Sequence, residues 1–269
     1  MSIFDLPIQA FPAPSPAPSP AGHATFKLVY QDQTLLVLDK PSGLLSVPGR
    51  GEGKQDCLST RVQARYADAR VVHRLDMATS GLMLMARGAA AQRTLSQAFA
   101  SRSIHKRYCA VVEGAVVEDT FITTPGYWAV IDLPIALDWP NRPRRIIDTQ
   151  RGKPSVTHWR VMRHGGLHPA SQAGEAVPRA PHTGPLSAGP LQFDSSTPFT
   201  RLELAPATGR SHQLRVHLAA LGHPILGDTL YAPQPVQARA SRLLLHATRL
   251  TLAHPLTGEP LRFDSAPPF

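Results

Sequence analysis

Short apolar runs bounded by polar turns recur along this chain, and they restrict it to a sheet-built fold more firmly than any other feature. Leu28-Val29-Tyr30 and Leu35-Leu36-Val37-Leu38 flank the turn Gln31-Asp32-Gln33 and predict two short strands. Gly81-Leu82-Met83-Leu84-Met85-Ala86 is apolar throughout, as a strand covered on both faces must be. Tyr108 to Val112, Thr157 to Val161 and Thr200 to Leu204 follow a two-residue alternation. Leu243 to Leu252 and Leu261 to Phe263 bracket the turn Pro255-Leu256-Thr257-Gly258. Helical spacing is confined to two places. In 89–104, Ala91, Leu95, Ala98, Phe99 and Arg102 share a face; between Ser211 and Leu221, Leu214, His217, Leu218 and Leu221 do the same. Gly222 and Pro224 then stop the second helix. Strands outnumber helices and show no regular βα alternation, which predicts an α+β chain with one large, mainly antiparallel sheet and flanking helices.

Two segments do not fit that pattern. Residues 1–24 alternate proline and alanine and predict an extended, disordered tail. Residues 165–198 are rich in Gly, Pro, Ala and Ser without a hydrophobic period, and predict a disordered insertion with nothing sticky enough to pack. The expected folded domain is 25–267, interrupted by that insertion.

Charge narrows the class of partner. The net charge is +9, and only five of the 28 basic residues are lysine. Guanidinium groups grip phosphate in a fixed fork, so nucleic acid is the natural partner; arginine-rich codon usage could produce the same ratio without it. The two cysteines, Cys57 and Cys109, are too few for a disulfide framework, and the start of the chain lacks a basic segment followed by an apolar one. No apolar run approaches the roughly 20 residues of a membrane helix. A cytoplasmic protein, monomeric and away from the membrane, is expected.

The sharpest chemical segment is His73-Arg74-Leu75-Asp76-Met77-Ala78-Thr79-Ser80-Gly81, set between Val71-Val72 and the buried strand. Such a loop, held between core elements, can place one carboxylate rigidly. A loop-closing turn with no chemistry fits the local pattern equally well. Thr208 to His217 opens the second helix with Arg210, His212 and Arg215 near its positive end, where phosphate can bind. Arg215 is also long enough to pair with a carboxylate. Lys106-Arg107-Tyr108 sets two cations beside an aromatic ring, able to hold a phosphate and stack a base, or simply to edge a sheet.

Other chemistries find little support. His212 and His217 are five residues apart, on different helix faces, and no Cys-x-x-Cys occurs, so no metal site is expected. There is no Walker loop and no nucleophile elbow. Gly49-Arg50-Gly51-Glu52-Gly53 follows no βαβ unit, and acidic residues are too scattered for a two-metal nuclease.

His73-Arg74-Leu75-Asp76-x-x-Thr79-Ser80-Gly81 resembles the signature of the RluA-type pseudouridine synthases. Further blocks are similar to that family in the same order: Leu38 to Gly49, Lys106 to Gly114, Thr208 to His217 with Gly222 to Asp228, and the closing Arg242 to Ala247. The resemblance implies the pseudouridine synthase fold, a large mixed sheet, mainly antiparallel, with a central RNA-binding cleft. It implies an isomerase that needs no cofactor. Asp76 would be the catalytic aspartate, whether by attack on the sugar or base or by removing a sugar proton. Tyr108 would stack on the uracil and help at the loss of the C5 proton. Arg215 would pair with Asp76, Arg74 would help extrude the nucleotide, and one of Leu243, Leu244 and Leu245 would pack on the base. His73, Thr79, Lys106, Arg107, Arg210 and His212 would contact RNA. The short segment before residue 25 leaves no room for the S4 domain of many members, and Asp138-Trp139-Pro140-Asn141-Arg142-Pro143 is similar to the compact branch, which acts on large-subunit (23S) ribosomal RNA and tRNA anticodon stem-loops. A non-catalytic RNA-binding protein and a nucleoside N-glycosidase are the competing expectations.

Overall fold

The computed structural model describes residues 26–51, 53–116, 128–165, 193 and 196–269. The expected tail at 1–24 and most of the expected insertion at 165–198 lie outside those residues. Phe193 is an exception. It bridges to Ala240 and packs edge-on against Phe199 at 4.9 Å, so this part of the segment is sticky enough to dock.

The predicted strands form, and they form one mixed sheet. The N-terminal pair is β1 (Lys27–Gln31) and β2 (Leu35–Lys40). Asp32 closes the turn between them by accepting from the N–H groups of Thr34 and Leu35. After α1 (Leu58–Gln63) and β3 (Ala69–Val71) comes β4 (Ser80–Arg87), in which every residue but Arg87 is buried. The remaining strands of the sheet are β5 (His105–Glu113), β6 (Ala129–Asp132), β9 (Val156–Gly165), β10 (Phe199–Pro206), β11 (Leu245–Ala253) and β12 (Pro260–Asp264). They are ordered β1-β2-β4-β11-β5-β10-β9-β6, with β3 beside β4 and β12 beside β11. Only the β11–β4 pair is parallel among these pairings. A separate hairpin of β7 (Ile135–Leu137) and β8 (Arg145–Ile147) stands beside the sheet.

Two helices match the helical spacing. α2 (Gly88–Ala100) buries Ala91 and Leu95, but it ends before the expected 104. Arg102 therefore lies beyond it, with φ +62°, and does not continue the face. α3 (Gln213–Ala220) starts two residues later than the Ser211 expected from its apolar face. The short α4 (Gln234–Ala238), like α1, β3, β6, β7 and β8, is too brief for a clear sequence period. No helix among the described residues is long and apolar enough to cross a membrane.

Register places the site. Gly81 pairs with Ala247, and Ala247 pairs with Tyr108, so the end of the Asp76 loop and the tyrosine lie on one row across the sheet. Gly81 has φ +108°, and a Cβ there would lie 2.4 Å from Ala247 O and 2.6 Å from Ala247 N. The parallel pairing of β4 with β11 thus requires glycine at 81. Beneath the row, His246 Nδ1 lies 2.8 Å from Ser80 Oγ and Nε2 3.0 Å from Ser265 Oγ. Ser265 in turn donates to Asp39, which accepts from Lys27 as well. Burial holds His246 down to about 4, so it is neutral at pH 7.

Gly81→Ala is expected to cost about 3 kcal/mol or more, because backbone rather than a pliant side chain must move; urea melts will show it. The second prediction concerns pH. Above about 6.5 His246 is neutral whether the chain is folded or not. As pH falls from there toward about 4, the unfolded chain takes up a proton that the folded one refuses, so stability drops. The loss should approach about 3 kcal/mol by pH 4 and should shrink in His246→Gln, measured as the unfolding free energy at pH 7 and pH 4.5.

Candidate active site in a basic cleft

Asp76 sits in a loop that is stapled through its carbonyl groups by the last residue of β2 and the segment after it. Lys40 Nζ donates to Met77 O at 3.1 Å, Ser42 Oγ to Ala78 O at 2.7 Å and Ser46 Oγ to Leu75 O at 2.6 Å. Gly43 N–H also donates to Met77 O, and Leu75 N–H returns a bond to Ser46 Oγ. Thr79 N–H closes the turn on Asp76 O at 3.1 Å. Lys40 is fully buried, and its ammonium also donates to the carbonyls of Pro41 and Leu44. Burial draws its pKa down to about 8 against the opposing pull of Asp76.

The loop opens into a cleft of about 1120 Å³. Tyr108, Lys106 and Arg107 reach it from β5, and Arg210, His212 and Arg215 from the chain around the start of α3. Arg74 and Arg145 line it too. Asp76 is the sole acidic residue among the described residues of the lining. Its Oδ2 lies 3.9 Å from Arg215 Nη1 and 3.9 Å from His212 Nε2.

Arg215 has a closer partner than the expected one. Its Nε and Nη2 form a two-point bond to Asp228, at 2.8 and 2.5 Å, and both side chains are buried. Burial works against the Arg215 charge, but Asp228 and then Asp76 outweigh it and hold the pKa above the ordinary range. Arg215 is therefore a fixed cation aimed past Asp76, not a phosphate ligand at a helix end. Asp228 also accepts from the N–H groups of Leu230 and Tyr231.

Tyr108 is buried, and burial together with the Asp76 charge pushes its phenol well above the usual range, so it is a neutral O–H. Of Leu243, Leu244 and Leu245, only Leu245 lines the cleft. Arg74 is exposed at the cleft, without hydrogen bond or ion pair among the described residues. Lys106 is half-buried, its ammonium likewise has no hydrogen bond or ion pair among the described residues, and burial lowers its pKa. Arg107 stacks on Trp128, its guanidinium carbon 4.1 Å from the ring centroid. Arg210 is exposed and reaches Pro154 O.

Two of the expected RNA contacts, His73 and Thr79, line the cleft and also serve the fold. His73 Nε2 accepts from Leu84 N–H at 2.8 Å and its ring packs on Phe99, which ties the loop to β4. Burial, with the Lys106 charge, pushes it down to about 3. Thr79 is 2% exposed and serves the turn. Sequence reading missed Lys40, Ser42, Ser46, Asp228 and Arg145. The first four lay inside quoted blocks but act through distant backbone or side chains. Arg145 belongs to the basic run Arg142-Pro143-Arg144-Arg145, which could have drawn attention; its buried Nε has no partner among the described residues and it faces the cleft. No cluster of metal-ligating side chains occurs among the described residues.

The family profile for RNA pseudouridylate synthase matches residues 34–220. The chain is 42% identical to a dual-specificity RNA pseudouridine synthase RluA from Yersinia pestis, over 88% of this chain and 96% of that one. It is 41% identical to the protein of the same name from Escherichia coli strain K12, over 90% and 93%. Among solved structures, human RNA Pseudouridylate Synthase Domain Containing 1 aligns with a TM-score of 0.66 and 26% identity, over 93% of this chain and 87% of that one.

Asp228→Ala is expected to cost about 3–5 kcal/mol, because it strands the buried Arg215 charge. Urea denaturation of the variant beside the wild type measures it.

Proposed function

The chain belongs to the RNA pseudouridylate synthase family and isomerises uridine to pseudouridine in RNA; we propose that Asp76 carries the reaction and that the targets are loops of 23S ribosomal RNA and of tRNA anticodon stems. The observation that carries the assignment is a single carboxylate in a cleft lined otherwise by arginine, lysine, histidine and uncharged groups. Cations hold the phosphates of a negatively charged strand, and the carboxylate is left for chemistry at the sugar or base. The description of the relatives as dual-specificity enzymes supports two classes of RNA target.

The C1′–N1 bond breaks, the uracil turns, and a C1′–C5 bond forms. A proton leaves C5 and one arrives at N1, so the base keeps its composition and no redox equivalent or hydrolytic water is consumed. The base must first leave its stack at a cost of a few kcal/mol, least in a loop. Arg74, exposed and without a partner among the described residues, fills or prises the vacancy. Lys106, Arg145 and Arg210 take phosphates. Tyr108 stacks on the uracil with Leu245 against it, and enters the loss of the C5 proton as a neutral phenol. Arg215, anchored by Asp228, orients Asp76. The same reading takes residues 25–267 as one catalytic domain, acting as a monomer in the cytoplasm.

Asp76→Asn should fold and bind RNA yet lose at least about a thousandfold in turnover. Tritium release from C5-tritiated uridine in RNA lacking the modification measures this. Release by the wild type alone, with chains intact and no free uracil, is the expected result; activity retained in Asp76→Asn would remove Asp76 from the reaction, and free uracil would mark an N-glycosidase.

A further inference from the structure

Tyr231 lies three residues after Asp228 and joins the β7–β8 hairpin to the site. Its hydroxyl accepts from Arg145 N–H at 2.8 Å and lies 2.7 Å from His212 Nδ1. Its ring stands edge-on to the His212 ring, with the Arg215 guanidinium 5.1 Å from its centroid. A hydroxyl has one proton to give. If His212 carried its hydrogen on Nδ1, the Tyr231 hydrogen would have no partner among the described residues, and the Nε2 lone pair would face the Asp76 carboxylate at 3.9 Å. If the hydroxyl donates to Nδ1, both defects vanish: each polar group is matched, and Nε2–H points at Asp76 Oδ2.

We infer that Tyr231 is a positioning residue, whose hydroxyl fixes His212 as the Nε2–H tautomer and so aims a hydrogen-bond donor at Asp76. The inference rests on the reading that Asp76 carries the reaction. It makes the donor pair at Oδ2 an imidazole N–H and the Arg215 guanidinium, arranged without a second full positive charge beside the carboxylate. It also ties Arg145, a cleft cation on β8, to the catalytic loop through one oxygen, so the strand that meets RNA and the group that faces Asp76 share a fixed point.

The groups facing His212 are Asp76 from its loop, Arg215 and Asp228 behind it, Arg145 from β8, and Tyr231. Burial, with the Arg215 and Arg145 charges, lowers the His212 pKa against the pull of Asp76 and Asp228. Protonation of Nδ1 would reverse the Tyr231 bond and leave the hydroxyl hydrogen without an acceptor among the described residues, so the bond as donated by Tyr231 favours neutral His212 and acts in the same direction. Losing it raises the pKa and moves the acid limb of the activity profile to higher pH.

The test is Tyr231→Phe in the full chain, which keeps the ring on Arg215. Nitrogen-15 NMR of histidine-labelled protein distinguishes the two tautomers, and turnover is followed by tritium release from pH 5 to 8. In the wild type His212 should be the Nε2–H form. In Tyr231→Phe the forms should mix, kcat should fall about tenfold with KM within about twofold, and the acid limb should rise. A wild-type Nδ1–H tautomer, or a variant with unchanged kcat and acid limb, would overturn the inference. Asp76→Asn run in parallel separates the two readings: if it stays active, Asp76 loses its role, while the tautomer and the Tyr231→Phe kinetics still judge Tyr231.

Discussion

A buried ammonium holding three backbone carbonyls is the contact on which this active site depends. Lys40 is removed from water and donates to Pro41, Leu44 and Met77. Desolvating a charge is costly unless its hydrogen bonds are replaced, and here each of its three donors meets a carbonyl oxygen. Carbonyl groups of the Asp76 loop that would otherwise be short of partners are met by the same segment, through Lys40, Ser42, Gly43 and Ser46. The loop is therefore held by the end of β2 and the residues that follow it as much as by β4. A loop pinned at Leu75, Met77 and Ala78 leaves the Asp76 side chain little freedom to drift, which is what pre-organised catalysis needs.

The sheet performs the second alignment. The parallel pairing of β4 and β11 sets Gly81 against Ala247, and the antiparallel pairing of β11 and β5 sets Ala247 against Tyr108. The loop end and the tyrosine, 27 residues apart in sequence, become near neighbours because a strand from the C-terminal part of the chain is threaded between them. The close approach of backbones at Gly81 explains why that position ends the motif.

Charge is divided between inner and outer layers. Arg215 and Asp228 neutralise one another out of water, so Arg215 stays rigid and polarises Asp76 from 3.9 Å instead of collapsing onto it. At the cleft, Arg74 and Lys106 stand without partners among the described residues, and Arg145 leaves a buried nitrogen unsatisfied. Cations left unpaired in a concave surface are suited to a polyanion that supplies the missing acceptors. Burying the inner pair and leaving the outer groups open separates orientation of the carboxylate from capture of the strand.

The amino-acid order by itself determined the sheet, its principal strands, both main helices and the Asp76, Tyr108 and Arg215 blocks, because two-residue and helical periods and short motifs are local patterns. It also determined the excess of basic charge. Only the tertiary structure decided what each side chain meets. Lys40 looked like one letter of a motif until the chain brought Met77 to it, and Asp228 until α3 turned Arg215 inward. His73 and Thr79, expected as RNA contacts, also hold the loop: β4 takes the histidine nitrogen and the turn takes the Thr79 N–H. The physical reason is range. Backbone conformation responds to near neighbours, whereas partners of buried polar groups are chosen by strand order and register, which bring residues from 11 to 86 positions apart into hydrogen-bond distance.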